Sequence, residues 1–162
     1  GKDVVRFMML TKRNDTPLDF DFAKVVEASK DNPVFYVQYA HARISSLKRK
    51  AADAGIDLAG KAELALLDEE EIGLVKQAAQ YSRVIEAAAT AHEPHRIAFF
   101  LYELAAQFHA LWNRGNDDPQ RRFLIENDPQ LSRARLELAL GIGQIIRSGL
   151  ALMGVEAAEE MR

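Results

Sequence analysis

Three aromatic rings, an imidazole and a guanidinium fall in the short run from Asn32 to Ile44, which reads N-P-V-F-Y-V-Q-Y-A-H-A-R-I. Phe35, Tyr36 and Tyr39 can stack on flat ligands. Arg43 and the later Lys50 can neutralise phosphates. Rings beside cations are the chemistry of unpaired nucleic-acid strands. His41 lies in the same run, where a plain structural imidazole would bond a backbone or side-chain oxygen. The same residue types also serve as packing at helix borders, with half-buried rings and a guanidinium paired to a carboxylate.

A helix must position these groups. Asn32 is a good N-cap, and Pro33 suits the first helical position because its missing N–H would be unpaired there anyway. With 3.6 residues per turn, Val37, Ala40, Ile44, Leu47 and Ala51 form one apolar stripe. A second stripe holds Asn32, Tyr36, Tyr39, Arg43, Ser46 and Lys50. The helix is predicted to run to about Ala54, with Gly55 as its stop. One face is buried and the neighbouring face offers rings and positive charge.

Other candidates for chemistry are incomplete. His92 and His95 occur in H-E-P-H, but Pro94 breaks the register between them, and no third histidine or suitably spaced carboxylate completes a metal site. These two and His109 are read as capping or packing residues. There is no G-x-S-x-G, Gly-rich phosphate loop or H-E-x-x-H pattern, so no active site is assembled. A binding or structural domain is the default for a helical chain without such a motif.

The chain has 162 residues, which suffices for one domain without metal or disulfide support. It has no cysteine, which excludes disulfides and thiolate sites and fits a reducing compartment. The apolar runs are too short to span a bilayer, and no signal-peptide pattern opens the chain. It begins with Gly1 rather than methionine, so it is expected to be a piece of something larger. A net charge of −3 argues against a free-standing nonspecific nucleic-acid binder. Charge is segregated, however. Acids gather at Asp68–Glu71 and Glu156–Glu160, and bases at Lys12–Arg13, Lys48–Lys50, Arg121–Arg122 and Arg133–Arg135, so a local patch can oppose the total.

Nearly every long segment has helical period. Asp3–Lys12 is a short helix. A turn-rich link at Asn14–Pro17 follows, and L-D-F-D-F then leads into a helix ending near Lys30, anchored by Phe20 and Phe22. Asp68 with Glu71 gives a capping-box start to one helix that lasts until His92, buried through Leu74, Ala78, Tyr81, Ile85 and Ala88. Pro94 opens another, with Ile97, Leu101, Leu104, Phe108 and Leu111 inside, and Asn113–Pro119 is read as a polar loop. The last helix starts at Asp128–Pro129 and ends at Gly154. It is apolar on two faces, Leu152 included, and therefore central. Its Gly141, Gly143 and Gly149 cost helix propensity and are expected to admit a close neighbour. The fold class is all-α, one helical bundle over residues 1–162.

At this point the residues resemble a family. G-K-D-V-V-R-F-M-M-L (Gly1–Leu10) is similar to the D-A-L-R segment of the anticodon-binding domain in arginyl-tRNA synthetase, a class I aminoacyl-tRNA synthetase. Asp3 and Arg6 stand at its charged ends, while Val4 and Val5 replace the usual alanine and leucine. L-D-F-D-F, the Asn32–Ile44 run, Glu93–Asn113 and G-L-A-L-M-G-V-E-A-A-E-E-M (Gly149–Met161) match further family segments in order. The resemblance covers almost the whole chain.

It implies a helical bundle of the class I synthetase anticodon-binding type, gripping the anticodon stem and loop of arginine tRNA. The parent would be a cytoplasmic enzyme that joins arginine to its tRNA with ATP and magnesium. HIGH-like and KMSKS-like motifs do not occur here, so the catalytic Rossmann domain is expected to lie outside this chain, and the chain alone should be inactive and hold no cofactor. Carried over, Phe35, Tyr36, Tyr39, His41 and Arg43 stand at one wall of the anticodon site and Met161 at the other, with Arg43 and Lys50 on phosphates. Neither membrane nor DNA is an implied partner. The anticodon domain of a sister class I synthetase and a non-catalytic helical protein-interaction module are the competing readings. In the second, the ring-and-cation stripe would dock a partner helix.

Overall fold

The computed structural model describes residues 1–13, 32–56 and 61–161. The turn at Asn14–Pro17 and the segment with Phe20 and Phe22 lie outside these residues. Six α-helices account for most of the described chain: α1 (Lys2–Leu10), α2 (Pro33–Asp53), α3 (Glu69–Ala78), α4 (Tyr81–Ala91), α5 (His95–Asp117) and α6 (Pro129–Leu152). Two 3-10 turns, Leu64–Leu66 and Pro119–Arg121, complete the regular structure, and no strand occurs among the described residues.

Local chemistry starts these helices where the sequence places them. Asn32 accepts from the Val34 amide, and Asp128 from that of Leu131. Asp68 accepts from the amides of Glu70 and Glu71, while the Glu71 carboxylate accepts from the Asp68 amide, a complete capping box. Such caps satisfy donors that have no partner inside the helix and are each worth about 1 kcal/mol. Gly55 adopts φ +69° just after α2, as a left-handed stop requires.

The core runs through α2, α5 and α6, which pack against one another. Val37, Ala40, Ile44, Leu47 and Ala51 of α2 are all buried, as the apolar stripe predicts. They meet Leu101, Leu104 and Phe108 of α5 and Leu136, Ile142, Ile146 and Leu150 of α6 in one cluster. Each large side chain buried there contributes about 1.5–3 kcal/mol of transfer free energy. Two glycines of α6 admit close neighbours. A Cβ at Gly143 would lie 2.9 Å from Ile44 Cγ2, and one at Gly149 would lie 2.8 Å from both Leu101 Cδ atoms.

Four expectations are corrected. The helix from Asp68 is interrupted at Ala79–Gln80, so α3 packs on both α5 and α6 while α4 follows α5. The supposed loop at Asn113 is helical through Asp117, because Gly115 is buried and its carbonyl accepts from Arg122 Nε at 3.0 Å. Leu152 is 59% exposed, since the helix ends as it clears the core. Gly141 has nothing within 4 Å of its would-be Cβ.

One tertiary tie has no local signature. Arg135 and Glu71 form a buried ion pair between α6 and the first turn of α3. Arg135 Nη1 also donates to the carbonyls of Gln120 and Arg122, both at 2.8 Å. A buried charge needs such partners. The result fixes the backbone of the segment between α5 and α6.

Candidate nucleic-acid interface

The basic and aromatic flank of α2 is framed by α5 and by the chain's last residues. After α6, Gly154 turns at φ +65° and the tail runs back across α1 and α2. Arg6 Nη1 donates to the Gly154 carbonyl at 2.7 Å, and Asp3 accepts from the Glu156 amide at 3.3 Å. Gln38 Nε2 donates to the Glu156 carbonyl at 2.7 Å. His41 lies 2.8 Å from the Ala158 carbonyl through Nδ1, which must therefore be the protonated nitrogen. These bonds deliver Met161 to the α2 flank.

Arg43 is the centre of the site. Its guanidinium carbon sits 4.3 Å from the Tyr39 ring centroid and 5.2 Å from that of Trp112. Nη1 donates to His109 Nδ1 at 3.0 Å, and His109 Nε2 donates to the Tyr36 carbonyl at 3.1 Å. This arrangement needs a neutral imidazole with its proton on Nε2. Burial depresses the His109 pKa below the ordinary imidazole value; the bond to Tyr36 works in the opposite direction, and the Arg43 charge lowers it further. Tyr36 packs on Tyr102 and His109, with centroids 5.0 and 4.6 Å apart. Its hydroxyl pKa is raised, chiefly by burial.

In front of Arg43 lies a cavity of about 370 Å³. Tyr39, Arg43, Ser46 and Arg49 of α2 form one side, Trp112 of α5 the back, and Glu159, Glu160 and Met161 the other side. Glu160 is 3.5 Å from Arg49, and Glu159 is 3.8 Å from Arg147. The space suits a flat heterocycle, with ring faces, cations and carboxylates along its edges.

The structure thus brings Tyr39, Arg43 and Met161 to one cavity. Tyr39 is 43% exposed, with the Arg43 guanidinium over its ring. Tyr36 is half-buried behind it. His41 is 2% exposed, beneath the tail that it holds. Phe35 packs against the apolar core and lines neither this cavity nor the next. Lys50 is exposed on a neighbouring cavity shared with Trp112. Sequence reasoning missed Arg49, Trp112, His109 and the tail carboxylates as parts of this site. Arg49 was discoverable, three residues after Ser46 on the same flank; the others depend on how α5 and the tail cross α2.

A family model described as the DALR anticodon binding domain matches residues 37–161. An arginine–tRNA ligase from Novosphingobium aromaticivorans is 63% identical over 99% of this chain and 28% of its own length. One from Ruegeria pomeroyi is 55% identical over all of this chain and 29% of its own. The chain thus spans under a third of the curated relatives it matches. The solved arginyl-tRNA synthetase of Thermus thermophilus superposes with a TM-score of 0.83 at 29% identity, covering 98% of this chain and 26% of that one.

Proposed function

The chain belongs to the DALR anticodon-binding domain family, and we propose that it grips the anticodon stem and loop of arginine tRNA. The observation that carries this reading is the cavity at Arg43, where Tyr39, two arginines and the tail residues Glu159 to Met161 converge within the span matched by the family, residues 37–161. Anticodon bases are unpaired, so they can be splayed out, stacked on rings and read at their edges. Tyr39 and Met161 would hold a base, with Trp112 behind. Arg43 and Arg49 would meet the base edge or adjoining phosphates. Tyr36 and His109 hold Arg43 in place, and His41 holds the tail. Phe35 serves the core that carries α2.

The longer protein would join arginine to its tRNA using ATP. Its catalytic domain would be a partner of this bundle, and the cytoplasm its location. No residue of this chain is assigned to ATP or magnesium, because the family's phosphate-handling motifs do not occur in it. The test is a titration of the chain with arginine tRNA and with an unrelated tRNA, followed over a range of salt. Preferential binding that weakens with rising salt is expected, with a slope reporting a handful of phosphate contacts. Failure to bind either RNA would overturn the reading in favour of a protein-docking module, and equal binding of both would overturn the preference for arginine tRNA.

A further inference from the structure

We propose that the second cavity, on the far side of Trp112, is an additional phosphate-bearing nucleotide subsite for the same RNA. This rests on the tRNA reading above and extends it from Lys50 to Arg122 and Asn116. The cavity measures about 350 Å³ and lies between the C-terminal half of α2, the end of α5 and the segment after Pro119–Arg121. Lys50, Arg122 and Asn116 supply polar edges, and Leu47, Trp112 and Phe123 an apolar floor. No ion pair involves Lys50 or Arg122 among the described residues, so both charges are available to an anion.

Arg122 is built into position. Its backbone carbonyl accepts from the buried Arg135, and its Nε donates to the Gly115 carbonyl, which leaves the rest of the guanidinium open. Gly115 makes room for this: a Cβ there would stand 3.1 Å from Arg122 Cα and Cγ. Trp112 lines both cavities and stands 5.2 Å from the Arg43 guanidinium and 5.9 Å from the Phe123 ring. A strand with one base before Arg43 therefore meets a second cationic pocket across a single shared ring. Two cations above an apolar floor match a phosphate joined to a sugar and base.

The chain holds one tryptophan, Trp112, so its intrinsic fluorescence reports occupancy directly. Titration with arginine tRNA is run on wild type, Lys50→Gln, Arg122→Gln, Tyr39→Ala and the control Arg121→Gln. Lys50 sits exposed on a long helix, so its variant keeps the test valid if Arg122→Gln loosens the segment. Lys50→Gln and Arg122→Gln are each expected to weaken binding about tenfold at low salt and to lower the log–log salt slope by about one. Tyr39→Ala should weaken binding with the slope unchanged. If Tyr39→Ala weakens binding while both Lys50→Gln and Arg122→Gln bind as wild type, the second subsite is refuted and the anticodon reading stands. If none of the three changes affinity, the anticodon reading itself fails. A parallel titration with adenosine monophosphate separates sources: quenching that Arg122→Gln abolishes, with tRNA affinity untouched, would assign the pocket to a free nucleotide and overturn the proposal.

Discussion

Arg43 Nη1 donates a 3.0 Å hydrogen bond to Nδ1 of His109, joining the exposed flank of α2 to the buried interior of α5. The bond restrains a long, rotatable cation that would otherwise lose side-chain entropy on meeting a ligand. It also forces His109 to remain neutral, because an imidazolium has no lone pair to accept it. The position of Arg43 is thus coupled to the protonation state of a buried imidazole on α5.

Stability is therefore expected to depend on His109. Its folded pKa lies below the ordinary imidazole value of 6.5, so the unfolded chain takes up a proton before the folded chain does. The stabilisation is fully present above that ordinary value and is lost as pH falls from there through the lowered folded pKa. Thermal melts in the weakly acidic range should show a falling Tm, and His109→Gln should flatten that part of the profile. An unchanged profile in the variant would assign the acid sensitivity to other groups.

The two tyrosines of the flank separate by burial. Tyr39→Ala removes an exposed ring and should cost about 1–3 kcal/mol of tRNA affinity with the melting temperature nearly unchanged. Tyr36→Ala removes a ring packed on Tyr102 and His109 and should lower fold stability by about 1–3 kcal/mol as well. Denaturant unfolding beside RNA titration distinguishes the two effects.

On the proposed reading, phosphate charge would arrive beside the tail carboxylates that line the Arg43 cavity. Glu160 faces Arg49 and Glu159 faces Arg147 across exposed gaps, and such pairs are worth about 0–1 kcal/mol. Glu159→Gln with Glu160→Gln should therefore leave stability unaltered and tighten tRNA binding, most visibly at low salt. Weaker binding in the double variant would mean that a carboxylate accepts from a base amine instead.

The glycines of α6 give a stability test that is independent of RNA. Gly149→Ala and Gly143→Ala drive a methyl group into Leu101 and Ile44, so each is expected to destabilise by about 1–3 kcal/mol. Gly141→Ala meets open space and should stabilise by about 0.5–1 kcal/mol. Urea midpoints of the three variants check the ordering.

Helix starts were legible in the chain because their causes are local. Asn32 with Pro33, Asp68 with Glu71, and Asp128 with Pro129 act within a few positions, and period 3.6 marks which side of α2 is buried. The flank bearing Tyr39 and Arg43 could be read for the same reason, and so could its resemblance to an anticodon-binding wall. The bend at Ala79–Gln80 and the extension of α5 to Asp117 were not legible. The bend accompanies packing on different helices, and the extension accompanies a carbonyl met by a side chain from the following turn.

What composition and periodicity could not convey is which groups share a cavity. Gln38 and His41 reach the tail across 118 and 117 positions, and Arg43 reaches His109 across 66. Those meetings arise from the crossing of α2 with α5 and from the path of the tail after Gly154, and no short-range pattern encodes a helix crossing. Residue types and spacing therefore established a helical chain with a cationic, aromatic flank. Packing then chose Tyr39 for the surface, sent His41 beneath the tail and set Trp112 between two cavities, because burial depends on which element lies opposite.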